Sequence, residues 1–175
     1  MNAGQTTRLI CPLIASTVEE MRADMVAAVA EGANMVECRL DYLSPLPDEE
    51  QLADLLRDAP CPVLATCRPV RQGGKFDGEE AHRLALLKRA ETFESVDVVD
   101  VELDVPTEDR PVDKILLSHH DFAHCPDDLD AIAKKIDSAG AKINKVAFAV
   151  SGPDQALCAF DVIRQCHKPT LALAM

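Results

Sequence analysis

Lys145 lies within an apolar stretch, residues 144–150 (Asn-Lys-Val-Ala-Phe-Ala-Val). Upstream, a second apolar stretch, residues 115–122, ends in Ser118-His119-His120-Asp121-Phe122. A lysine is costly in a buried strand: its ammonium must be paired, shed its proton, or be used in chemistry. A desolvated lysine with a depressed pKa can attack a carbonyl as the free amine and form a Schiff base. A histidine at the end of a neighbouring strand can move the protons that such chemistry requires. The two stretches together point to an enzyme.

The elements that must position these groups alternate along the chain. Apolar strand-like runs are read at residues 9–14, 35–39, 63–67, 96–102, 115–118, 145–150 and 171–175. Helical stretches fall between them. The first is opened by Thr17 with Glu20 three residues later, a capping box, and runs to Glu31 before Gly32. Others are read at 48–58, 79–93, 127–139 and 154–165. The link 104–114 holds Pro106 and Pro111 and is too short and broken for a full helix. Strands alternating with helices argue for a parallel α/β fold, here in one domain spanning residues 1–175.

The strand endings separate a barrel from an open sheet. The second ends Glu37-Cys38-Arg39-Leu40-Asp41, the third Thr66-Cys67-Arg68, the fourth Asp100-Val101-Glu102 and the fifth His119-His120-Asp121. Four consecutive apolar strands thus finish in charged or titratable groups. In a (β/α)8 barrel those ends converge on one mouth, where the active site lies. A doubly wound sheet concentrates polar groups at one switch point and usually opens with a glycine-rich turn. Here the first turn is Ala15-Ser16-Thr17. The barrel is the expected architecture, with about seven strands and without its last β/α unit.

Composition bounds the function. At 175 residues and 47% hydrophobic content the chain can bury a real core, but with 3% aromatic residues and no Trp that core must be aliphatic. A net charge of −12 and a pI near 4.7 argue against nucleic acid or an anionic membrane as the main partner. A few arginines can still make a pocket for a small anionic substrate. The seven cysteines are an odd count without a CxxC pair, and Cys11, Cys38 and Cys67 fall within or beside strands as small hydrophobes. No run approaches the ~18 apolar residues of a membrane span. The expected setting is reducing and cytoplasmic, with neither metal nor cofactor, since the Cys and His spacing suits no zinc site.

Assembled, these residues resemble type I 3-dehydroquinate dehydratase, a Schiff-base lyase of the shikimate pathway. The matching segments are Val36-Glu37-Cys38-Arg39-Leu40-Asp41, Thr66-Cys67-Arg68-Pro69 with Gly73-Gly74, and Asp100-Val101-Glu102-Leu103. They continue with Ser118-His119-His120-Asp121-Phe122, Asn144-Lys145-Val146-Ala147 and Leu171-Ala172-Leu173-Ala174-Met175. Each is weak alone; six in family order are strong. The resemblance implies that Lys145 forms an imine with the substrate ketone and that His120, not His119, is the general acid and base. It implies that Glu37, Arg39 and Arg68 contact substrate, and that the protein is a homodimer.

Departures accompany the resemblance. Gln72 stands where many members carry an acid before the double glycine, leaving Glu102 or Asp100 as candidates to orient His120. Pro12 stands where some members carry a substrate-touching serine. The family continues past the seventh strand with a Ser-Arg pair, whose arginine holds the substrate carboxylate, and an eighth strand. A chain ending at Met175 is therefore expected to turn over weakly or not at all. Alternatives are another Schiff-base lyase such as a class I aldolase, or a non-catalytic remnant. The bland reading of Lys145 is a lysine snorkelling at a strand entrance. For Glu37 and Arg39 it is a simple ion pair, and for Arg68 a pairing with Glu37 or Glu102. Gly73-Gly74 reads as a turn rather than a phosphate loop.

Overall fold

A computed structural model describes residues 8–175. The elements are β1 (Ile10–Leu13), α1 (Val18–Ala30), β2 (Met35–Arg39), α2 (Glu49–Leu56), β3 (Val63–Thr66), α3 (Glu80–Glu91) and β4 (Val96–Glu102). They continue with β5 (Ile115–Asp121), α4 (Leu129–Ser138), β6 (Ile143–Phe148), α5 (Pro153–Ala156), α6 (Cys158–Gln165) and β7 (Thr170–Ala174). Thr17 and Glu20 form the expected capping box, and Asp48 with Gln51 forms a second at the start of α2. Each cap stabilises its helix start by about 1 kcal/mol.

All seven strands are parallel and pair in sequence order, β1 to β7. Strand order that never reverses puts every crossover on the same side of the sheet, which curls it into a barrel wall instead of an open, doubly wound sheet. Among the described residues β1 and β7 are the two edges. Two aliphatic clusters fill the space between strands and helices. One contains Met21, Leu52, Leu87 and Val99; the other contains Leu117, Ile136, Phe148 and Val162.

Side chains two apart on a strand share a face, so the concave face is built in layers. The lowest layer is a dry plug of Met35, Leu64, Val98 and Leu116, flanked by Ile10, Ile143 and Leu171. Two residues further along each strand stand Glu37, Thr66, Asp100, Ser118 and Lys145. Two further again stand Arg39, Arg68, Glu102 and His120. The pleat turns an apolar floor into a polar mouth.

Most boundaries shift by a residue or two from the sequence reading, and three differences have a clear cause. β5 runs on to Asp121 because His119, His120 and Asp121 pair with Val146, Ala147 and Phe148 of β6. β6 begins at Ile143, where its register with Leu116 starts, and so Lys145 is its third residue. The helix expected at 154–165 is two: α5 is a single turn opened by Pro153 with no buried residue, and only α6 has a buried anchor, Val162.

The link between β4 and β5 has a short 3₁₀ turn, Thr107–Asp109, where a crossover helix would stand. Side chains hold it in place. Buried Arg110 donates to the carbonyls of Val105 (2.9 Å) and Leu103 (3.1 Å). Glu91 accepts from the backbone N–H groups of Val112 (3.1 Å), Asp113 (2.8 Å) and Lys114 (2.7 Å).

The double glycine is a turn folded back onto the end of β3. Gly73 has φ +77°, and a side chain there would strike the Phe122 ring at 2.5 Å. A Cβ on Gly74 would stand 1.9 Å from the Arg68 carbonyl oxygen, so backbone approaches backbone with no room for a side chain.

Candidate active site

Lys145 reaches the centre of the mouth. Its side chain is 12% exposed, with Nζ 3.4 Å from Asp100 Oδ2 and 3.8 Å from Glu37 Oε1. Of the three fates open to a strand-buried ammonium, the structure shows pairing. Pairing also aims the amine: the lysine enters near the bottom of β6 and its stem runs along the concave face to carboxylates of β2 and β4.

Asp100 is the hub. Its side chain is fully buried, ion-paired with Arg68 and Lys145, and accepts from Ser118 Oγ at 2.6 Å. Burial raises its carboxyl, but Arg68, Lys145, His120 and the Ser118 hydroxyl outweigh that and hold it well below the usual carboxylate range. Arg68 spreads its fork across the hub and the layer above: Nη2 pairs with Asp100, while Nη1 donates to Glu102 (2.7 Å) and Ser118 Oγ (2.8 Å). Burial, with the Asp100 charge beside it, raises the Glu102 carboxyl more than Arg68 and Arg83 lower it. Two buried carboxylates one layer apart thus share one guanidinium.

His120 stands in the top layer beside this cluster. Burial first, then repulsion from Arg68, Lys145 and His119, push its pKa down to about 3 against the pull of Asp100. The ring is neutral, and its buried Nδ1 has no hydrogen-bond partner among the described residues. Its ring lies parallel to that of Phe122, centroids 5.8 Å apart. Asp100 and Glu102, expected as its orienting acids, make their bonds to Arg68 and Ser118 instead. A neutral imidazole at a polar mouth is in the protonation state that can accept a proton.

This sets a pH dependence of stability. The folded pKa lies below the unfolded value near 6.5, so the unfolded chain binds more protons between pH 6.5 and 3. The stability is full above pH 6.5 and is lost as pH falls through that window, at up to about 1.4 kcal/mol per unit. The thermal midpoint is expected to fall from pH 7 to pH 5, and His120→Gln to flatten that fall.

The remaining candidates divide. Glu37 accepts from Thr66 Oγ1 at 2.8 Å and faces Lys145, so it belongs to the cluster. Arg39 stands in the top layer, but its fork is closed on buried Asp41 (Nε to Oδ1 2.9 Å, Nη2 to Oδ2 2.8 Å) and lies over Tyr42. The bland alternative of a Glu37–Arg39 ion pair is not what forms: Arg39 pairs with Asp41, which also accepts from the Lys75 N–H (3.1 Å) and ties the end of β2 to the glycine turn.

Two participants escaped the sequence reading. Ser118 bridges Arg68 and Asp100, and Arg83 supports Glu102 from α3. Arg83 did leave a signal: it shares the stripe of Leu87 and Ala90, so a charge occupies the buried side of a helix. Among the described residues no group of three or more His, Cys, Asp or Glu side chains could hold a metal ion. None of the described helices is long and apolar enough to cross a membrane.

Comparison with known proteins bears on this arrangement. The family model for type I 3-dehydroquinase matches residues 9–175. The 3-dehydroquinate dehydratase of Methanopyrus kandleri is 33% identical over 175 aligned positions, covering 95% of this chain and 79% of that protein. That of Methanothrix thermoacetophila is 32% identical, covering 85% of this chain and 65% of its own length. The bifunctional 3-dehydroquinate dehydratase/shikimate dehydrogenase of Arabidopsis thaliana is also 32% identical, and the match spans 29% of that longer protein. The fold is shared with the solved type I 3-dehydroquinate dehydratase of Clostridium difficile, with a TM-score of 0.84 at 21% identity over 98% of this chain and 77% of that one. The family model's match over nearly the whole described chain, with a relative 33% identical, decides the family: the chain belongs to the type I 3-dehydroquinases.

Proposed function

We propose that the protein dehydrates 3-dehydroquinate to 3-dehydroshikimate, with Lys145 as the imine-forming residue and His120 as general acid and base. The observation that carries this reading is the Lys145 amine, held by Asp100 and Glu37 in the polar layer of the mouth, one layer below a neutral His120 on the adjacent strand. The Lys145 ammonium first releases a proton to solvent; the free amine attacks the substrate ketone and water leaves, giving an iminium. The iminium acidifies the neighbouring carbon, from which His120 takes a proton. The resulting enamine expels the β-hydroxyl, which departs as water with the proton from His120. Hydrolysis then frees Lys145.

Arg68 and Arg39 supply positive charge in the top layer of the mouth, and Glu37, in the polar layer beside Lys145, faces the substrate's hydroxyls. An anionic substrate at the mouth offsets the Arg68 charge that, after burial, most depresses His120, and lifts the ring toward its working range. A homodimer in a reducing, cytoplasmic setting completes the proposal. The family resemblance supports the first, and seven free cysteines support the second.

The product is a conjugated enone, so its ultraviolet absorbance reports turnover directly. Absorbance growing with 3-dehydroquinate, while a sugar phosphate is left unchanged, is the expected result. Cleavage of the sugar phosphate and none of 3-dehydroquinate would favour a class I aldolase.

A further inference from the structure

We propose that Arg83, on the outer helix layer, is a positioning residue that holds Arg68 in place from behind the barrel wall; this rests on the dehydratase reading of the mouth. Arg83 is fully buried although it stands on a helix. Its Nη1 donates to the Cys67 carbonyl at 2.9 Å, the peptide group that leads directly into Arg68. Its Nη2 stands 2.7 Å from Glu102 Oε2, while the other oxygen of that carboxylate accepts from Arg68 at 2.7 Å. One guanidinium therefore bears on Arg68 at both ends: by a hydrogen bond to the peptide before it, and by charge alone on the acid that holds its fork, whose Oε2 makes no hydrogen bond.

The contacts extend outward as well. Arg83 donates through Nε and Nη2 to Glu80 (3.0 and 2.7 Å). Glu80 in turn pairs with Arg71, and Arg71 with Asp104. The whole forms a ladder of alternating sign: Asp104, Arg71, Glu80, Arg83, Glu102, Arg68, Asp100, Lys145 and Glu37. Arg83 is the rung that passes between the helix layer and the mouth. Without it, two buried carboxylates face Arg68 with no second guanidinium, Glu102 is pushed further toward its protonated form, and the clamp on the Arg68 fork loosens.

His120 reads out the position of Arg68. The charged groups that face it are Arg68 from the end of β3, Asp100 from β4, Lys145 from β6 and His119 from its own strand. The test compares wild type, Arg83→Met and Arg83→Lys in the full chain, following the His120 ring-proton resonance against pH without ligand. Borohydride-trapped adduct formation with 3-dehydroquinate is measured in parallel. In Arg83→Met the His120 midpoint is expected to rise by about half a unit or more, as the Arg68 charge draws away. The trapping rate is expected to fall about tenfold, with Arg83→Lys between the two.

A role confined to packing would lower the thermal midpoint and leave the His120 titration where it is. An unmoved His120 midpoint in the folded Met variant overturns the inference. If that variant does not fold, an unmoved midpoint in Arg83→Lys does so. A midpoint that moves while wild type forms no adduct upholds the positioning of Arg68 and sinks the dehydratase reading instead.

Discussion

Lys145→Met is expected to lower dehydration of 3-dehydroquinate by at least about 10⁴-fold, because no other described side chain offers a buried amine at the mouth. The substitution keeps most of the stem volume and removes only the nitrogen, so the apolar floor beneath it is left packed. His120→Ala is expected to fail differently. It leaves the amine and its two carboxylates in place, so the imine still forms, while proton removal and departure of the hydroxyl are lost. Single-turnover trapping separates the two: no adduct in Lys145→Met, and an adduct that accumulates in His120→Ala. An adduct at wild-type rate in Lys145→Met would remove the lysine from the mechanism.

Arg68→Met is expected to have the largest effect on stability. It leaves Asp100 and Glu102, both buried, without the guanidinium they share, at a cost of about 3–5 kcal/mol. For a domain of this size that lowers the thermal midpoint by roughly 10 °C at pH 7. The pH dependence is diagnostic. In the wild type Asp100 is held below its unfolded value despite burial, so its contribution is full above about pH 4 and is lost as pH falls further. In Arg68→Met burial raises both carboxyls, and a raised carboxyl loses stability as pH rises. The difference between the two proteins should therefore be wide at pH 7 and narrow toward pH 4, as thermal melts across that range would report. A constant difference would mean that volume, not charge, is what Arg68 contributes.

Much of this site was legible before any coordinates. Four strands ending in charged residues can satisfy those charges together only if the ends meet, and in a sheet of unbroken strand order they do. The two prolines after β4 marked the one link without a crossover helix. Lys145 was placed near a strand entrance, and its long stem carries the amine to Asp100 and Glu37.

Pairing choices were not legible, because the period of a strand tells which side chains share a face but not which of several near partners wins. Arg39 closes on Asp41, a residue beyond its strand that also accepts from the Lys75 N–H. Asp100 and Glu102 hold Arg68 and not His120: a guanidinium fork meets two carboxylates at once, whereas a neutral ring leaves them repelling each other. Arg83 was visible only as a charge on an apolar stripe, and the partners that tie it to the mouth, the Cys67 carbonyl and Glu102, lie on other elements.

The central claim is that Lys145 becomes covalently joined to the substrate ketone. It is tested most directly by incubating the chain with 3-dehydroquinate, reducing with borohydride, and mapping the added mass by peptide sequencing. The account requires a single adduct on Lys145, absent when borohydride or the ketone is omitted. An adduct on another lysine, or none with 3-dehydroquinate and one with a sugar phosphate, would contradict it.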